Sequence, residues 1–109
     1  MKWVFTLLAG VLLVSGCVQQ GGQEGVSPEE QAKTKCIELC EGSAIDLSDG
    51  PCLSDDNPNW DVEGWVCDVA HSPRQDVDNR PENQCREFRE GKASHFVEVD
   101  PECEFIKAV

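Results

Sequence analysis

Six cysteines spread over residues 36–103 constrain this chain more than any hydrophobic pattern does. They are Cys36, Cys40, Cys52, Cys67, Cys85 and Cys103. They are even in number, widely spaced and free of any Cys-x-x-Cys pair, which predicts three structural disulfides rather than a redox dithiol or a c-type haem attachment. The apolar content explains the need for them. Ile37, Leu47, Leu53, Trp65 and Phe96 are among few large apolar residues in the cysteine-bearing region. A domain this small is marginal on its core alone. Three bridges at about 2–4 kcal/mol each would rival its whole net stability.

A seventh cysteine, Cys17, needs a separate explanation, because an odd thiol is unexpected in an oxidising compartment. It closes an uncharged apolar run from Trp3 to Val14, preceded by Lys2 and followed by the small residues Ser15 and Gly16. As a helix that run would reach roughly 18 Å, against about 30 Å of bilayer hydrocarbon. A cleaved signal therefore fits better than an uncleaved anchor or plain secretion with a spare thiol. The motif Val14-Ser15-Gly16-Cys17 resembles the lipobox of prokaryotic lipoproteins. The resemblance implies that residues 1–16 leave as a signal peptide and that Cys17 carries lipid on the extracytoplasmic face of the cell membrane. Two acyl chains there would hold stably, where one would be marginal. Residues 17–26 are rich in Gly and Gln and are expected to form a tether to a disulfide-rich domain at 27–109.

Loss of Lys2 would leave eight Lys and Arg against 21 Asp and Glu. So acidic a surface repels phosphate backbones, and nucleic-acid binding is excluded as a function.

Ser27-Pro28-Glu29-Glu30 predicts a helix start, with Ser27 as cap and Pro28 in the first turn. Ala32, Cys36, Leu39 and Cys40 mark one face, and Gly42 is expected to end the helix in the left-handed conformation. Cys36 and Cys40 lie four apart on that face and cannot readily bond each other, so each should staple the helix to a different later segment. Residues 43–59 read as a loop pinned by Cys52. Residues 64–70 read as a strand, 81–90 as a second helix capped by Asp78 or Asn79, 93–99 as another strand, and 103–106 as a third extended piece. In that second helix Cys85 and Phe88 should share the buried face. The expected fold is therefore a small, loop-rich, disulfide-stabilised α+β domain with two helices and two or three short strands.

No arrangement announces a reaction. His71 and His95 are the only histidines, and Ser94 neighbours His95 on opposite strand faces. His95 alternates with Val97 and Val99, which places it on a packed face. His71 should bond backbone in the turn after its strand. A Cys2His2 zinc site of Cys36, Cys40, His71 and His95 matches no finger spacing. Asp55, Asn57, Asn59, Asp61 and Glu63 begin like an EF-hand loop. Trp60 then stands where Gly is needed and Val66 where the bidentate Glu belongs. A looser cation cage of Asp49, Asp55, Asp56 and Asp61 is the alternative. The alternating charges of His71, Arg74, Asp76, Asp78, Arg80 and Glu82 predict a salt-bridged loop, or a recognition loop. Trp60 and Trp65 are expected in the core, or one of them as an anchor for a partner.

The segments Trp65-Val66-Cys67-Asp68-Val69-Ala70-His71 and His95-Phe96-Val97-Glu98-Val99-Asp100 are similar to small cysteine-rich lipoproteins of archaea, a family that brings no known activity. The expectation is a non-enzymatic, membrane-anchored binding module with no cofactor and an extracellular protein or glycan as partner. The alternative is a lipoprotein that binds a cation through the acidic loop or the histidines.

Overall fold

The computed structural model describes residues 25–109. The leader and Cys17 lie outside the described residues, as does most of the expected tether. Helix α1 (Pro28–Glu41) is followed by strand β1 (Trp65–Val69), two 3-10 turns at Asp76–Asn79 and Pro81–Asn83, helix α2 (Arg86–Arg89), and strands β2 (His95–Val99) and β3 (Phe105–Ala108). No described helix is long and apolar enough to cross a membrane. The result is the small disulfide-stapled α+β domain that the sequence predicts.

Helix α1 starts where local chemistry says it should. The Ser27 hydroxyl accepts the Glu30 amide at 3.2 Å, and Glu29 and Glu30 sit at the positive end of the helix dipole. Ala32, Cys36 and Cys40, each four residues on, are its buried residues. Gly42 ends the helix with φ −92° instead of the expected left-handed turn, its amide bonding the Glu38 carbonyl at 3.0 Å.

The sheet order is β1-β2-β3, with β1 parallel to β2 and β2 antiparallel to β3. Residues 51–53 run along the outer edge of β1: Leu53 N donates to Cys67 O at 2.8 Å and Val69 N to Pro51 O at 3.0 Å. That edge is thereby covered. Side chains alternate across the strands, so Trp65, Cys67 and Val69 of β1 and Val97 and Val99 of β2 share one face. They pack with Ala32, Cys36 and Cys40 of α1 into the main core. The opposite face carries Val66, Asp68, Phe96 and Glu98, only partly covered by the segment around Cys85, Phe88 and Ala93.

Three disulfides fasten these layers. Cys36 joins Cys67 on β1, Cys40 joins Cys103 in the turn before β3, and Cys52 joins Cys85 ahead of α2. The two α1 cysteines thus staple the helix to different segments, as their spacing requires.

The expected helix over 81–90 is broken. Gln84 and Cys85 are extended, and only Arg86–Arg89 is α-helical. The physical cause is non-local. The bridge draws Cys85 down to Cys52, and the Asp55 carboxylate accepts the Arg86 amide at 3.1 Å, starting α2 from 31 residues away. Asp78 and Asn79 do not cap it. Phe88 is 41% exposed instead of sharing the buried face of Cys85. Strand β2 begins at His95 rather than Ala93. The last strand begins at Phe105 rather than Cys103, because the Asp100 carboxylate accepts both Glu102 N and Glu104 N at 2.9 Å and shapes a turn there.

Candidate functional site

The sheet register sets two carboxyls side by side. Asp68 on β1 is the direct partner of Glu98 on β2, and Glu98 is in turn the partner of Lys107 on β3. Like charges abreast in a sheet are destabilising. Burial makes the pairing more costly: Glu98 is 5% exposed and Asp68 Oδ1 is a buried oxygen without a hydrogen-bond partner. Two adjustments relieve it. Burial, reinforced by the charge of Glu98 and only partly opposed by Arg74, pushes the Asp68 carboxyl up to about 8, so it holds its proton at neutral pH. Arg74 meets the Glu98 carboxylate, Nη1 to Oε2, at 2.6 Å.

Arg74 is itself held in place. Its Nη2 donates to the Asp78 carbonyl at 3.1 Å and its Nε to Asn79 Oδ1 at 3.2 Å. Asp78, 1% exposed, organises the whole turn. Its carboxylate accepts His71 N at 2.9 Å and Gln75 N at 2.8 Å and pairs with His71 Nδ1 at 3.0 Å. Burial acts to raise this carboxyl, but the bonds from Gln75 and His71 outweigh it and leave its pKa below the ordinary value. His71 therefore bonds a side chain rather than backbone. Of the expected salt-bridged loop, His71 pairs with Asp78 inside it and Arg74 with Glu98 on β2, while Asp76, Arg80 and Glu82 form no ion pair among the described residues.

Above the two carboxyls lies a cavity of about 310 Å³, at the lower end of small-molecule sites. Its apolar wall is Val66, Cys85 and the edge-to-face pair Phe88 and Phe96, ring centroids 5.2 Å apart. Its polar rim holds Asn79, Gln84, Arg89 and Lys107 besides Arg74. Lys35, Arg86 and Lys92 pair with nearby acids elsewhere. Among the described residues Arg89 and Lys107 form no ion pair. An acidic domain thus carries a locally basic pocket with a half-buried carboxylic acid at its base.

Arg74 of the alternating-charge loop lines this cavity, and the metal and cation candidates of the sequence lie elsewhere. All six domain cysteines are in disulfides, so the zinc set of Cys36, Cys40, His71 and His95 does not form. Three of the four acids of the expected cation cage are engaged one by one: Asp55 with the Arg86 amide, Asp56 with the Arg86 guanidinium at 2.9 Å, Asp61 with Lys35 at 3.0 Å. Among the described residues the one tight group of ligand-type atoms is Cys52, Asp55 and Cys85, and two of these are bonded to each other. His95 lies exposed at the sheet end, stacked on Trp65 at 4.6 Å, not on a packed face. Trp65 is in the core. Trp60 packs beside it and donates its indole N–H to the Trp65 carbonyl at 2.9 Å.

Asp68 and Glu98 escape notice in the sequence. The available signal is a single carboxylate inside each of two apolar runs, Trp65-Val66-Cys67-Asp68-Val69 and Phe96-Val97-Glu98-Val99. A charge in a strand buried on both faces needs a local partner or a function. No family model, no curated protein and no solved structure matches this chain.

Proposed function

We propose that this chain is a binding module tethered through lipid on Cys17 to the outer face of a cell membrane, and that it holds a small ligand in the cavity over Asp68 and Glu98. The observation that carries this reading is the register pair itself. Two carboxyls abreast under an open cavity destabilise the fold, and costly polar groups of this kind concentrate at binding and active sites. Arg74 holds the Glu98 carboxylate in place at 2.6 Å, which suits a rigid binding pocket. Disulfide stapling keeps the pocket preformed, so little ordering opposes capture of a ligand.

A fragment library screened by two-dimensional NMR on the disulfide-intact protein tests the site. Hits should move resonances of Val66, Phe88, Phe96 and Lys107 together. A library whose hits all fall elsewhere on the surface overturns the reading. Intact mass of protein from its native envelope tests the anchor: the mature chain should begin at an acylated Cys17.

A further inference from the structure

We propose that the ligand of this cavity is a small organic carboxylate with a flat apolar body, an inference that rests on the cavity being a ligand site. Three features of the lining point to it. Arg89 and Lys107 bring two positive charges without ion-pair partners among the described residues, while Arg74 is already matched by Glu98. The Phe88–Phe96 pair and Val66 give an apolar wall suited to a planar hydrocarbon or aromatic body. Asp68, partly exposed on the cavity, is a neutral acid at pH 7 and can donate one hydrogen bond to an acceptor.

The alternatives fit less well. An ammonium ligand would meet Arg74, Arg89 and Lys107 together. An uncharged body would leave Arg89 and Lys107, which form no ion pair among the described residues, without a new counter-charge. The negative surface of the rest of the domain disfavours anions at long range, but that field is largely screened beyond about 8 Å at physiological salt. Inside the cavity the near charges decide.

The choice couples binding to protonation. The charged groups around Asp68 are Glu98 from β2, Arg74 and Asp78 from the turn region after β1, Lys107 from β3 and Arg89 from α2. Ionising Asp68 would set two adjacent carboxylates against an incoming anion. Binding should hold through neutral pH and weaken as pH passes 8.

The test titrates benzoate, benzamide and benzylamine into the disulfide-intact full chain, followed by NMR at pH 6.5 and pH 9. Benzoate should bind tightest at pH 6.5, shift Phe88 and Phe96, and lose affinity at least fivefold at pH 9. The double variant Arg89→Gln/Lys107→Gln, two exposed positions, should lose at least tenfold. Asp68→Asn, which cannot ionise, should abolish the pH dependence, its benzoate affinity being the same at pH 9 as at pH 6.5 whatever the change in affinity itself. Benzylamine or benzamide binding at Phe88 and Phe96 in preference to benzoate overturns the carboxylate inference and leaves the cavity reading standing. So does benzoate binding that the double variant leaves unchanged. Failure of all three compounds to reach the cavity overturns both.

Discussion

Gly50 and Asp78 pack so closely that a Cβ on Gly50 would stand 2.5 Å from Asp78 Oδ1 and 3.0 Å from the Val69 carbonyl. Gly50 also has φ +71°, where a side chain is strained. Gly50→Ala should therefore destabilise by about 2–4 kcal/mol, well beyond the usual effect of a loop substitution. Chemical denaturation checks this. NMR of the His71 ring should show its bond to Asp78 disturbed in whatever population remains folded.

Asp68 makes stability fall as pH rises. Its carboxyl moves from 3.8 to about 8 on folding, so between those values the folded chain holds a proton that the unfolded chain has released. The contribution is fully present below the lower value and lost as pH climbs through the upper one. Asp68→Asn should match the parent near pH 4, flatten the decline above it, and gain on the order of 2–4 kcal/mol over the parent at pH 9. Urea melts at pH 4, 7 and 9 decide it, and parallel curves for the two proteins would refute it.

Two of the disulfides close loops of nearly equal length, with separations of 31 for Cys36–Cys67 and 33 for Cys52–Cys85. Loop-closure entropy alone gives about 3.7 kcal/mol for either. Cys36 and Cys67 are both 0% exposed, whereas Cys52 is half-buried. Replacing Cys36 and Cys67 by Ala together should cost about 1–2 kcal/mol more than the same change at Cys52 and Cys85, because it also empties packed core. Equal losses in parallel melts would show that entropy alone governs.

Asp55 and Arg86 separate a useful contact from a decorative one. Asp55→Ala removes the acceptor of the Arg86 amide and should cost about 1 kcal/mol through α2. Truncating the Arg86 side chain breaks only its exposed pair with Asp56, and the loss should stay under about 0.5 kcal/mol. Amide exchange at Arg89 and Glu90 should quicken in the first variant only.

What the sequence discloses follows the range of the interactions. Ser27, Pro28 and the four-residue spacing of Cys36 and Cys40 act within a few residues, and α1 forms where they place it. The helix expected at 81–90 fails because its decisive partners, Cys52 and Asp55, lie about thirty residues upstream. The candidate site is hidden for the same reason. Asp68 and Glu98 are unremarkable apart and meet only through the parallel register of β1 and β2. His95 is misplaced by period-2 logic because it stands at the end of its strand, where alternation continues but cover does not.

The bridge from Cys40 to Cys103 also decides how the molecule answers a mechanical pull between its two ends. Tension entering along α1 can cross from residue 40 to residue 103 through sulfur and leave by β3. The intervening chain, residues 41–102, with both carboxyls and most of the cavity wall, lies off that covalent route. Drawn taut, the oxidised domain could pay out only α1 and its last few residues, so that of the pocket lining Lys107 on β3 alone would lie in the loaded segment.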